Sequence, residues 1–295
     1  SSFMLQDTIH HTRAKFFASP LASGLHSLCM DSCVDLNSDV APEGALDIAF
    51  FDAIGFGTVV DSLSAIKTLV FEQKRLSMKE LLEALDCNFE GKEDIQALLQ
   101  GAPSFGNGDL EVDTLGRMLE KSALDFTARY AGKNGVQPLE IRTTSVTANV
   151  PHGKFVGATP NGRKAWMPLS DGSSPSHGSD RNGPTAVLLS QYQSTNWNAA
   201  NRACRLLNMK MAPKTVEGEE GTKKLVDLIR AFINLRVWHL QMNIINRETL
   251  VAAQKDPQKY KNLVVRIAGY SAYFVDLSPD LQNDLIDRTE HENCD

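Results

Sequence analysis

The sequence predicts a mixture of helices and strands. Segments with apolar residues at helical spacing alternate with short runs dense in β-branched residues, and clusters of Gly, Pro, Ser and Asn separate them. The chain has 295 residues, 42% of them hydrophobic, and a net charge of −6. That is enough to bury a sizeable core, in one large domain or two ordinary ones. The mildly acidic balance argues against a nucleic-acid partner or an anionic membrane surface. No stretch approaches the roughly 18 consecutive apolar residues of a membrane helix. The opening, SSFMLQDTIHHTRAKFFASP, has no apolar h-region and no small-residue cleavage site, so the expected location is the cytoplasm. It also begins without methionine and in mid-pattern, which reads as a piece of a longer protein.

Taken in order, GTVVDSLSAIKTLVFEQK (57–74) predicts a helix capped by Asp61, with Leu63, Ile66 and Val70 on one face. SMKELLEALDCNF follows, with Ser77 and Glu80 spaced as a capping box. QGAPSFGNGD (100–109) is loop, and 111–130 is helical. IRTTSVTANV (141–150) is too rich in β-branched residues for a stable helix and predicts a strand. Residues 151–184 are loaded with Gly, Pro, Ser and Asn, and TPNG within them predicts a turn with Pro160 at its first corner and Gly162 closing it. By composition this is a surface loop, yet an irregular segment of that length inside a compact domain is often functional. Helix returns at 222–235. WHLQMNII (238–245) predicts a strand with Trp238, Leu240 and Met242 on one side. Asn246 is placed to cap RETLVAAQK, LVVRI is a core strand, and Ser278-Pro279 opens a last helix.

Familiar chemistries are missing. The five cysteines, Cys29, Cys33, Cys87, Cys204 and Cys294, make no metal or disulfide pattern and read as reduced thiols; with seven scattered histidines, no metal site is expected. GFG at 55–57 is too short for a dinucleotide fingerprint, and neither a Walker sequence nor a G-x-S-x-G elbow occurs. The adjacent acids of GEEG (218–221) read as partners of a helix N-terminus rather than a catalytic pair.

RIAGYSAYF (266–274) is less ordinary. A β-branched strand stops at Gly269, and aromatics follow at Tyr270, Tyr273 and Phe274. By packing alone this is a turn glycine among aromatics. The same residue could store a backbone radical. An α-carbon between an amide nitrogen and a carbonyl delocalises an unpaired electron both ways if it can flatten, and a β-carbon would crowd the flattened centre. Tyr270 and Phe274 would then shield the centre, and Arg266 would tie the loop down.

Arg266-Ile267-Ala268-Gly269-Tyr270, with Phe274, Leu277, Gln282, Ile286 and Arg288-Thr289 beyond it, resembles the C-terminal signature of the glycyl radical enzymes. The family more often has valine at the place of Ile267. VPHGKFVGATPNGRKAWMPLSDGSSPSHGSDRNGPTA is similar to the stretch before that family's radical domain, and GFGTVVDSLSAIKTLVFEQKRLSMKELLEAL to the helices behind its barrel. The resemblance runs from about residue 18 to 291. It implies the C-terminal part of a ten-stranded α/β barrel of the pyruvate formate-lyase-like type: barrel domain over 1–168, glycine radical domain over 169–295.

Within the family the stretch NVPHG through SPSHG, together with RIAGYSAYFVDLSPDLQNDL, resembles the fumarate-adding branch, the benzylsuccinate, alkylsuccinate and naphthylmethylsuccinate synthases. That implies a radical on Gly269, installed by an S-adenosylmethionine-dependent iron–sulfur activase with no bound cofactor. A cysteine thiyl would take hydrogen from a toluene-type arene or an alkane, and the carbon radical would add to fumarate. Small accessory subunits and a second catalytic copy are the implied partners. Ile54 and Val146 are implied pocket residues, although ordinary core packing explains them as well. Cys33-Val34-Asp35 superficially resembles the thiyl loop, but its surroundings match a later family segment, so Cys33 reads as structural and the thiyl cysteine is expected upstream of residue 1. Other glycyl radical lyases (formate acetyltransferase-like, decarboxylating or dehydrating) and a non-catalytic radical carrier are the competing readings.

Overall fold

The computed structural model describes residues 49–130, 139–144, 146–199, 202–288 and 290–291, together with Leu28 and Val34. The chain divides into two compact units, Ser1–Phe50 with Thr127–Glu140, and Phe51–Phe126 with Ile141–Asp295. Cys29, Cys33 and Cys294 lie outside the described residues. No helix of the described residues is long and apolar enough to cross a membrane.

Strand β1 (Ala49–Asp52) leads into α1 (Phe56–Ala65), which continues as a π-helical segment over Ile66–Glu72. The helix begins five residues before the expected cap. Gly55, in the left-handed region at φ 83°, is the N-cap, and Asp61 lies inside the helix. Within the buried first turn, Thr58 finds its partner in the Gly/Pro-rich segment: its N–H donates to Ser170 Oγ at 3.0 Å, and Ser170 N–H donates to Thr58 Oγ1 at 2.9 Å. A β-carbon on Gly57 would lie 2.7 Å from the Ser174 carbonyl oxygen, so GFG is a close-approach motif.

Helix α2 (Met78–Asp86) starts on the expected capping box, with Ser77 and Glu80 hydrogen-bonded reciprocally. With α3 (Glu93–Gln100) it closes a cluster of Leu69, Leu76, Leu81, Phe89 and Leu99. Helix α4 (Leu110–Tyr130) packs Val112 against Phe56, Val60 and Phe105.

Strand β2 is Leu139–Thr143, shorter than the pattern predicts. The chain then turns through Val146, at φ 52°, into the short helix α5 (Asn149–Gly153). A β-branched residue at positive φ is an outlier, and the composition that predicts a strand here is overruled by the buried partners that Asn149 finds. The TPNG turn forms as expected, Gly162 N–H donating to the Thr159 carbonyl at 2.9 Å.

Helix α6 (Gly183–Gln193) precedes β3 (Arg202–Arg205), which lies parallel to β2 in a sheet of order β1-β2-β3. Strand β4 (Asn208–Met211) is the middle of a second parallel sheet. Its neighbours are β5 (Gln241–Ile244), after α7 (Gly218–Asn234), and β8 (Glu290–His291). Glu219 and Glu220 stand in the first turn of α7, where the helix dipole favours them. Helix α8 (Arg247–Lys255) has the expected Asn246 cap, accepting from Thr249 N–H at 3.0 Å. An antiparallel hairpin of β6 (Val264–Arg266) and β7 (Ser271–Tyr273) follows, then α9 (Pro279–Asp287) behind a Ser278 cap. The hairpin packs on α8 and α9 through Leu250, Val265, Ile267, Phe274, Leu285 and Ile286.

Candidate functional site: the Gly269 hairpin and the buried charges beneath it

The turn of the hairpin is Ile267-Ala268-Gly269-Tyr270, closed by Ile267 N–H donating to the Tyr270 carbonyl at 2.9 Å. Ile267 is 1% exposed and anchors the turn in the core, while Gly269 is exposed. Gly269 has φ 85°, a region that favours glycine, and a β-carbon built on it meets no atom within 4 Å. The backbone therefore demands glycine for conformation, not for space. That fits a centre that must flatten with room around it.

Of the residues expected to support this loop, Phe274 is fully buried beneath the hairpin and Tyr270 is 43% exposed. The Arg266 guanidinium reaches across to Ser271 Oγ at 3.2 Å. Ile54 is half-buried before the Gly55 cap, and Val146 is 41% exposed on its turn. Neither belongs to the cluster of described residues that packs the hairpin.

Two residues that the sequence reasoning did not single out grip the loop most closely. Gln241 and Asn243 are two apart on β5 and so share a face. The Gln241 carboxamide accepts from Gly269 N–H at 2.8 Å and donates to the Ile267 carbonyl at 2.9 Å. Asn243 does the same one step along, accepting from Arg266 N–H at 2.8 Å and donating to the Arg266 carbonyl at 2.6 Å. Gln241 is 7% exposed, so water does not compete freely for these bonds. The signal was in WHLQMNII, where polar residues alternate with Leu240, Met242 and Ile244.

Beneath the turn lies a buried ionic network. Arg288, which ends α9, places Nη1 3.5 Å from the Ile267 carbonyl and Nη2 3.0 Å from Asp284 Oδ2 and 3.3 Å from Asp171 Oδ2. Asp284 also accepts from Asn149 Nδ2 at 2.9 Å, and Asn208 Nδ2 donates to Asp171. All five side chains are buried. Burial works against the charge on Arg288, but Asp171 and Asp284 outweigh it and hold the guanidinium above its ordinary range. Burial pushes the Asp171 carboxyl up, and Arg288 and Asn208 pull against it. Unpaired, any of these charges would be costly to bury. NVPHG, LSDGSSPSHG and RIAGY, far apart in sequence, thus meet at one network under Gly269.

All three stretches lie inside regions that match known family models. Residues 2–153 match the family described as pyruvate formate lyase-like, and residues 169–275, which include Gly269, match the glycine radical domain. The chain belongs to the glycyl radical enzymes, in the pyruvate formate lyase-like family. Its fold is the C-terminal part of that family's α/β barrel with the radical domain. Over 292 residues, 99% of this chain, it is 56% identical to the isethionate sulfite-lyase of Oleidesulfovibrio alaskensis and 57% identical to that of Nitratidesulfovibrio vulgaris, covering 35% of each. The hydroxyproline dehydratase of Clostridioides difficile, solved with trans-4-hydroxy-L-proline bound, superposes with a TM-score of 0.82 at 36% identity over 90% of this chain and 34% of that one. The chain thus spans about a third of the length of the relatives it matches.

These relatives overturn the fumarate-adding expectation, because they are lyases that release sulfite and dehydratases, not hydrocarbon-succinate synthases. The physical reason is that the segments read as branch-specific are scaffold. Asn149 of NVPHG, Asp171 of LSDG and Ile267 of RIAGY meet in the ion network under the hairpin, a structural task that does not itself choose a substrate. Ile54 and Val146 were implied as hydrocarbon contacts only through that branch.

Proposed function

We propose that the protein carrying this chain is a glycyl radical lyase that eliminates sulfite from isethionate, with Gly269 as the residue that stores the radical. The observation that supports this reading most is the 56–57% identity to isethionate sulfite-lyases over 99% of the chain. By atom balance, loss of hydrogen sulfite from 2-hydroxyethanesulfonate leaves acetaldehyde, so no oxidant or reductant is consumed.

A radical at Gly269 supplies a one-electron acceptor for hydrogen, regenerated at the end of each cycle. What this chain's own residues contribute is placement. The positive φ and open side-chain direction leave the α-carbon unobstructed, and Gln241 and Asn243 fix the peptides before it. The Asp171–Arg288–Asp284 network supports the Ile267 carbonyl from below. Fixing geometry before the reaction is how such a site lowers a barrier. An S-adenosylmethionine-dependent iron–sulfur activase, a hydrogen-abstracting cysteine outside this chain and a second catalytic copy complete the proposal. The domain boundary near 168/169 also belongs to it. Small accessory subunits, implied only through the fumarate-adding branch, are not part of this proposal.

The test is to activate the full-length protein anaerobically and supply isethionate, measuring sulfite and acetaldehyde. Equimolar release of both is expected. Water elimination from glycerol or trans-4-hydroxy-L-proline, with no sulfite from isethionate, would make the protein a dehydratase instead.

A further inference from the structure

No main-chain ladder joins β5 to β6; among the described residues the two strands are joined through side-chain amides. Gln241 holds two consecutive peptides, Ile267–Ala268 by its carbonyl and Ala268–Gly269 by its N–H. Because a peptide unit is planar, holding its N–H direction holds the tilt of the whole plane. Asn243 hydrogen-bonds the N–H and carbonyl of Arg266 rather than Gly269.

That difference matters for an unpaired electron. An α-carbon that has lost a hydrogen is trigonal, and its half-filled orbital overlaps a neighbouring peptide only as far as the two planes turn into alignment. At φ 85° the Ala268–Gly269 peptide stands nearly perpendicular to full overlap. Gaining overlap requires that peptide to rotate, and Gln241 opposes the rotation at both ends of its carboxamide. We infer that Gln241 is a positioning residue for the Gly269 radical, fixing the peptide on the amino side of Gly269 and so setting how the electron is shared between the α-carbon and that peptide. This rests on the reading of Gly269 as the radical site.

The experiment compares activated full-length wild type, Gln241→Leu, Gln241→Glu and Asn243→Ala by electron paramagnetic resonance. The splitting from the remaining α-hydrogen reports spin density at the α-carbon. Gln241→Leu should shift that splitting, while Asn243→Ala keeps the wild-type value. Gln241→Glu keeps an acceptor for Gly269 N–H but loses the donor to Ile267. It should shift the splitting in the same sense by less, and it decides the matter if the leucine variant does not fold. In unactivated protein, losing both bonds of a buried amide should speed hydrogen exchange at Gly269 about tenfold. Wild-type splitting in both Gln241 variants overturns the inference, as does an equal shift in Asn243→Ala, which would reduce Gln241 to loop packing. No doublet in the wild type would instead sink the radical reading of Gly269 itself.

Discussion

At Gly269 two demands meet that the sequence states only in part. The arrest of a β-branched strand at a glycine, followed by aromatics, marks a special turn, and the RIAGY signature names its kind. The positive φ and the empty space where a side chain would point are properties of the folded hairpin and leave no trace in the letters. They make a clean prediction. Gly269→Ala meets no clash, and its cost is the left-handed conformation alone, about 1–2 kcal/mol. The variant should fold, retain its thermal transition to within several degrees, and give no radical doublet after activation. A wild-type doublet in Gly269→Ala would move the radical elsewhere. Gln241 and Asn243 were missed because strand reasoning attends to the apolar face, and here the polar face does the holding.

Among the elements, caps with a side-chain signature were legible: Ser77 with Glu80, Asn246, and Ser278 before Pro279 all form as their spacing implies. Asp61 was misread because local spacing cannot reveal a distant partner. It sits inside α1, 4% exposed, and accepts from Phe105 N–H at 2.7 Å across the loop that the sequence did identify. Burial there raises its pKa from 3.8 to about 7. The sign follows from proton counting. Between about pH 4 and pH 7 the unfolded chain has released this proton and the folded chain keeps it, so stability falls as pH rises through that window. Asp113 in α4, also raised to about 7 chiefly by burial, adds to the same slope. Asp61→Asn keeps an oxygen for Phe105 N–H and removes the titration. Its denaturation midpoint should therefore fall less steeply with pH than that of the wild type. Parallel curves for the two proteins would show that Asp61 is ionised in the fold.

For the whole molecule, the family and the α/β class were readable from signatures spread along most of the chain, and the reaction was not. The branch assignment leaned on segments that build the hairpin support: Asp171 from the Gly/Pro-rich stretch, Asn149 from NVPHG, and Asp284 from DLSPDLQNDL. The relatives that this chain resembles include both a sulfite-lyase and a dehydratase, and the chain spans about a third of their length, so likeness over this stretch does not by itself separate one reaction from the other. The central claim, that this chain stores its radical on its own backbone at Gly269, has one direct test. Oxygen should attack the spin-bearing α-carbon and cut the chain there, so mass spectrometry of activated full-length enzyme exposed to air should show a new C-terminal peptide beginning near Tyr270. The unactivated protein, with the same exposed hairpin and no radical, should stay whole. Intact mass in both samples, or a cut at another glycine, would contradict the account.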